Sequence, residues 1–238
     1  MSRIDYTRDS NFPLTPDEDS DVLEFENVSK SFWTGTQRKI ILESASFTVR
    51  RGTNLGVLAK NGTGKTTVIN MMAGLEKPDS GRIERNCSVS FPLGFMGGLE
   101  SKHTGTENVR YIAALYSLDQ DEVEAFCRWL CDIGEYFDMP IGTYSTGMRA
   151  RLSLALMLAM NFDLYLVDEG MPSTTDVAFN RRAGAIMRER FEYATLVIVS
   201  HDMEILSKFC TSAAVLHDGK LYFFDTLQEA KALYDYTS

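Results

Sequence analysis

Short stretches of alternating apolar and polar residues open the folded part of this chain. They run over residues 22–32 (VLEFENVSKSF) and 39–49 (KIILESASFTV), separated by the turn-rich WTGTQR, and predict an antiparallel β-layer. The continuous apolar run Asn54–Ala59 (NLGVLA) has the pattern of a buried strand, and the spacing predicts a helix from about 66 to 74. Pro78, Ser80 and Gly81 read as the end of that unit, and residues 82–105 as a strand and a glycine-rich loop (PLGFMGGLE). Over 106–134 the apolar positions Val109, Ile112, Ala113, Tyr116, Val123, Phe126 and Leu130 recur at helical spacing, and a second helix is expected at 146–160. Residues 163–167 and 195–199 are short apolar strands flanking a helix at about 176–191, an alternation that implies a mostly parallel core sheet. A hairpin turning at Asp218–Gly219 follows, then a helix opened by the capping box Thr226-x-x-Glu229. There is no internal repeat, and residues 1–20, polar, acidic and broken by Pro13 and Pro16, read as a flexible tail.

Composition narrows the class without naming a function. The 24 Lys and Arg against 33 Asp and Glu leave a net charge of −9, which argues against a sequence-independent grip on nucleic acid. The longest apolar run, 152–160 (LSLALMLAM), is half of what a spanning helix needs, so no direct membrane insertion is expected. The N-terminus has no apolar segment of the kind a secretory signal carries. Four cysteines without a CxxC, two of them (Cys127 and Cys131) one helical turn apart, read as buried small hydrophobes in a reduced cytosolic protein.

The chemistry begins at Ala59-Lys60-Asn61-Gly62-Thr63-Gly64-Lys65-Thr66, between the buried strand and its helix. Glycines let backbone N–H groups curl around phosphate oxygens, the helix terminus adds partial positive charge, and Lys65 reaches the β- and γ-phosphates. Asn61, Gly62, Thr63, Gly64, Lys65, Thr66 and Thr67 are the expected ATP-binding set, with the Thr66 hydroxyl on Mg²⁺. The usual first glycine is Ala59 here, which permits the turn if its φ is negative. Residues 162–169 (FDLYLVDE) form an apolar strand ending in two carboxylates. In a parallel sheet that end faces the ligand crevice, so Asp168 is expected to hold Mg²⁺ and Glu169 to polarise a water for attack on the γ-phosphate. His201, directly after the strand at 195–200, faces the same crevice and can hydrogen-bond the γ-phosphate or that water. His103 and His217 have no such context and read as structural.

Tyr144-Ser145-Thr146-Gly147-Met148-Arg149-Ala150-Arg151-Leu152 would by itself be a helix N-cap. Its place between the phosphate loop and the carboxylate strand resembles the ABC ATPases, whose order of motifs the chain follows from about 22 to 236. Three segments, TYSTGMRARL, PLGFMGG…TGTENVRYI and FDLYLVDEG, look like the ATP-binding subunits of capsular-polysaccharide exporters. The resemblance implies an α/β fold: a P-loop NTPase core with a mostly parallel sheet, an antiparallel β-subdomain and an inserted helical subdomain at about 99–160, all within an ATPase domain spanning 21–238. It implies that Ser145 and Gly147 contact the γ-phosphate held by the other subunit of a head-to-tail homodimer, and that Asp176 faces the dimer. By the same likeness Phe32, or else Trp33, stacks on adenine. Segment 106–145 then receives a cytoplasmic helix of an integral-membrane permease, placing the chain peripherally at the cytoplasmic face of a bacterial inner membrane. Where the family has a loop glutamine the chain has Glu100, a candidate Mg²⁺ ligand that also adds negative charge beside the triphosphate. The implied function is ATP-driven export of a capsular or related polysaccharide, with substrate choice left to other components because the chain ends soon after its last helix. The alternatives are an ATPase subunit of another export system and a non-transport regulatory ATPase. A ribosome- or DNA-acting ABC protein and a small-molecule P-loop kinase fit less well, for want of a paired unit and of an Arg-rich lid.

Overall fold

The computed structural model describes residues 20–92, 98–168 and 176–237. Strands β1 (Asp21–Thr34) and β2 (Gln37–Arg50) form the expected hairpin. The third strand of this antiparallel sheet, ordered β2-β1-β4, is β4 (Ser80–Arg85). Ser80 and Gly81 therefore open a strand rather than end the preceding unit. Gly81 sits at φ 85, and a Cβ there would lie 2.5 Å from the Glu26 carbonyl, where a bulge in β1 crowds the ladder.

The second sheet runs β5 (Leu164–Asp168), β6 (Thr195–Ser200), β3 (Asn54–Ala59), β7 (Ser212–His217), β8 (Lys220–Phe224). The first four strands are parallel, and β8 returns antiparallel through Asp218 and Gly219, both at positive φ as a tight hairpin turn requires. Strand β3 is central, so the loop leaving it opens in the middle of one sheet edge. Strand β6, TLVIVS, is buried along its whole length because its two faces enter two cores. Leu196 and Ile198 join the core beneath the helices, whereas Val197 and Val199 join the core with α1 (Lys65–Ala73) and the antiparallel sheet.

The helical layer departs from the sequence expectation in one respect. The run at 106–134 is two helices, α2 (Gly105–Leu115) and α3 (Gln120–Cys131). Ser117, at φ 56, ends the first, and Asp119 caps the second by accepting from the N–H groups of Asp121 and Glu122. The apolar spacing continued across the break because both helices bury their faces in one core. Short 3₁₀ turns at Gly134–Asp138 and Ile141–Thr143 lead to α4 (Thr146–Ala159). Arg128 holds this layer together: it donates to Glu124, Thr106 and Asp138 and lies 4.5 Å from the Phe137 ring centroid. Its hydrogen bonds bring the Asp138 carboxyl down to about 2. Gly105 must be small, since a Cβ there would lie 2.7 Å from the Phe137 carbonyl and against the Tyr144 hydroxyl.

Helices α5 (Val177–Phe191) and α7 (Leu227–Tyr236) lie where expected, the latter with its capping box formed. Sequence periodicity missed α6 (Met203–Phe209), seven residues capped by Asp202 and too short to show a helical repeat. Cys127, Cys131 and Cys210 are buried, and burial pushes the Cys131 and Cys210 thiols up to about 12, in keeping with inert packing. Of the expected tail, residues 1–19 lie outside the described residues, while the Ser20 carbonyl accepts from Arg51 N at 3.0 Å.

Asp163 ties the first sheet's turn to the second sheet. It accepts from Ser88 N at 2.9 Å, Ser88 Oγ at 2.6 Å and Arg51 Nη1 at 2.9 Å. Burial pushes this carboxyl up, but the Ser88 and Arg51 bonds outweigh burial and hold it below the ordinary carboxylate range. A folded pKa below the unfolded one means the contribution is present above the ordinary carboxylate pKa and lost as pH falls through the folded value. Asp163→Asn is expected to cost about 1–3 kcal/mol at neutral pH, with a smaller deficit in acid, read from urea unfolding at pH values on either side of the transition. A deficit unchanged down to the acid limit would contradict this assignment.

Candidate nucleotide site

The loop at 60–64 joins β3 to α1, and its geometry follows from two residues. Gly64, the N-cap of α1, sits at φ 108, and a Cβ there would lie 2.6 Å and 2.8 Å from the Cγ2 and Cδ1 of Ile41 on β2. Both the backbone angle and the close approach demand glycine. No side chain caps α1 and no acidic residue lies in its first turn, so its leading N–H groups and partial positive charge suit an anion. Ala59 keeps a negative φ, so the turn forms without the usual glycine.

Lys65 is buried, and its Nζ donates to the Asn61 Oδ1 at 2.9 Å and the Ala59 carbonyl at 3.3 Å. Thr63 bonds back to the Lys60 carbonyl through its N–H and its hydroxyl. Thr66 is exposed in the first turn of α1 and Thr67 half-buried beside it. Asn61 and Gly62 are exposed at the loop's outer rim.

Strand register brings two more strand ends to this edge. Leu58 on β3 pairs with Ser200 on β6, and Asp168 on β5 pairs with Val199. Asp168 and the exposed His201 therefore end neighbouring parallel strands on the side where β3 delivers the phosphate loop. Glu169 lies outside the described residues. The His103 carbonyl accepts from Ile141 N, and His217 ends β7 with its Nε2 3.3 Å from the Asp218 carboxylate.

On β1, Phe32 stands opposite Lys39 of β2, and cross-strand partners share a face. Lys39 is on the loop side, since a Cβ on Gly62 would lie 3.9 Å from its Nζ. Phe32, 39% exposed, thus shares the face turned to the phosphate loop, and Trp33, 72% exposed, points to the other. Lys30 braces Phe32, its Nζ 4.9 Å from the ring centroid, while bonded to Glu76 at 2.5 Å and to the Lys77 carbonyl at 2.8 Å.

Other expected residues stand apart from this cluster. Ser145 caps α4, accepting from Met148 N at 3.2 Å, and both it and Gly147 are exposed. α4 buries into the core on the helical side of the parallel sheet, whereas α1 buries into the core on the opposite side. Asp176 caps α5 and pairs with Arg151 of α4 at 3.0 Å within the same chain. Glu100 is exposed ahead of α2, its backbone clamped by the Asn108 side chain through bonds of 2.8 Å and 3.1 Å. Among the described residues no three His, Cys, Asp or Glu side chains form a cage for a metal. The oxygens of Thr66 and Asp168 are nonetheless hard donors suited to Mg²⁺, an ion bound through one or two protein oxygens together with substrate phosphates.

A glycine-rich loop that closes a central parallel strand and aims an uncapped helix and a buried lysine at one point defines the class: this is a P-loop nucleotide-binding fold. Residues 42–171 match the ABC transporter family, and the chain belongs to it. It is 35% identical over 216 residues to the ATP-binding protein BexA of Haemophilus influenzae, covering 91% of this chain and 99% of that protein. It is also 35% identical to the capsule polysaccharide export ATP-binding protein CtrD of Neisseria meningitidis (90% and 99% covered). The polysialic acid transport ATP-binding protein KpsT of Escherichia coli is 36% identical (90% and 98% covered). The fold is similar to that of the ATP-binding cassette MJ0796, solved as a dimer in a post-hydrolysis state bound to ADP and Pi, with TM-score 0.70 and 19% identity over 85% of this chain and 98% of that one. No helix among the described residues is long and apolar enough to cross a membrane.

Proposed function

We propose that this chain is the ATP-hydrolysing subunit of an exporter that moves a capsular or related cell-surface polysaccharide across a bacterial inner membrane through a separate permease. The observation carrying this reading is its likeness, over about nine-tenths of its length, to proteins named for capsule and polysialic acid export. It would sit peripherally at the cytoplasmic face.

In the proposed site the loop at 60–64, Lys65 and the start of α1 hold the triphosphate, and Phe32 stacks on adenine. Thr66 and Asp168 would hold Mg²⁺, which when bound neutralises phosphate charge and orients the terminal phosphoryl group. Glu169 takes a proton from the attacking water, and His201 hydrogen-bonds the γ-phosphate or that water. Ser145 and Gly147 act on the nucleotide of a second copy. Their exposure, and the burial of α4 and α1 on opposite faces of the sheet, favour two composite sites in a head-to-tail homodimer. The proposed domain runs 21–238, with the helical insertion at 99–160 receiving the permease's cytoplasmic helix over 106–145.

The test is ATP hydrolysis by the chain reconstituted with its permease in vesicles, with and without a lipid-linked glycan. The glycan is expected to stimulate turnover severalfold. Equal rates with and without it would overturn the polysaccharide reading in favour of another export system.

Glu100 makes a separate prediction. In the proposed closed state Glu100, which stands apart from the phosphate loop in this structure, comes beside the triphosphate and repels it. Glu100→Gln is therefore expected to raise the hydrolysis rate by about twofold to fivefold. Phosphate release measured side by side for the two proteins checks this, and an unchanged or lower rate in the variant would refute it.

A further inference from the structure

We propose that Lys39 on β2 is a second phosphate-binding cation of the nucleotide site, acting together with Lys65; this rests on the nucleotide-site reading above. The placement comes from the strand. Ile41 packs against Gly64, and two residues earlier, past the register shift at Ile41, the Lys39 Nζ comes within 3.9 Å of where a Gly62 Cβ would lie. Strand β2 therefore lies over the loop at two successive glycines, with an aliphatic contact at one and an ammonium at the other.

Lys39 is set apart from the other lysines by its place over Gly62 and opposite Phe32; a side chain without a bonded partner it shares, among the described residues, with Lys60, Lys102 and Lys220. Among the described residues it makes no hydrogen bond or ion pair, although the neighbouring cations Lys30, Arg38 and Arg51 are all engaged. Its cross-strand partner on the loop-facing side is Phe32, the proposed adenine platform. One face of the hairpin thus offers an aromatic ring for the base and, one strand over, an ammonium for the phosphates.

The charge balance explains why a second cation serves. A nucleoside triphosphate carries about four negative charges and the Asp168 carboxylate about one more, while Mg²⁺ when bound, Lys65 and the α1 terminus supply about three and a half positive ones. The chain as a whole carries −9. An ammonium about 4 Å from a phosphate oxygen at a solvent-exposed site is worth about a fivefold gain in affinity, and salt diminishes it.

The experiment is calorimetric titration of the full chain, wild type, Lys39→Gln and Lys39→Arg, with ATP, ADP and AMP at low and high salt. Lys39→Gln is expected to weaken ATP about fivefold, ADP less and AMP hardly at all, with the ATP deficit shrinking at high salt and Lys39→Arg restoring most of it. ATP affinity unchanged in Lys39→Gln while the wild type binds ATP would overturn this proposal alone. An equal loss for AMP, unaffected by salt, would also overturn it by marking Lys39 as structural. Absence of ATP binding by the wild type would overturn both this proposal and the site it rests on.

Discussion

Glu169→Gln is expected to lower steady-state ATP turnover by about 10²–10⁴-fold while leaving ATP affinity within about threefold of the wild type. The substitution keeps shape and hydrogen-bonding capacity but removes the base that would take a proton from the attacking water. Asp168, the residue before Glu169 in sequence, ends β5 beside β6 at the sheet edge that carries the phosphate loop. With hydrolysis blocked and binding retained, ATP should accumulate in the closed state, and a dimer should appear on size-exclusion chromatography only when ATP is present. Phosphate-release assays give the rate and light scattering the mass. Full turnover in the variant would sink the assignment of Glu169, and an ATP-independent monomer would count against composite sites.

Lys65→Ala is expected to weaken ATP binding by about 30-fold or more and to reduce hydrolysis to background, because charge-assisted bonds to phosphate are each worth about 1.5–3 kcal/mol. The loss should fall on binding rather than folding. Among the ammonium's partners are the Asn61 side chain and the Ala59 carbonyl, at the loop's edge, whereas α1 is anchored in its core by Val68, Ile69, Met71 and Met72. Titration calorimetry and thermal unfolding measured together separate the two effects. Near-normal ATP affinity in a folded variant would contradict the site. Lys65→Arg is expected to rescue poorly, since the longer, planar guanidinium does not fit the buried position that the ammonium occupies.

Much of this site could be read from local text because its physics is local. The phosphate loop, its uncapped helix and Lys65 lie within a few consecutive residues, and the turn needs glycine at Gly64 whatever the rest of the chain does. Asp168 and His201 could be assigned to the same edge because consecutive parallel strands with crossover helices deliver their C-terminal ends to one side. The parallel order itself followed from apolar runs such as β6 that enter two cores at once. The helix break at Ser117 was harder. Its signal, the cap Asp119 ahead of Asp121 and Glu122, was present but masked by apolar spacing that two helices share.

The sequence by itself determined the class of fold, the phosphate loop and the strand ends that face it, since each follows from residues adjacent in the chain or from the two-residue period of a strand. Only the tertiary structure decided which aromatic faces the loop, that Lys39 lies over Gly62, and that Asp176 is engaged by Arg151. The reason for the first two is register. The β1–β2 pairing shifts between Phe25 and Val28, Val28 and Lys30, and Lys30 and Ser31, and each shift can exchange the faces of every residue beyond it. Alternation counted along the chain therefore loses track of the faces before it reaches Phe32, and only the paired strands show that Phe32 and Lys39 look toward the loop.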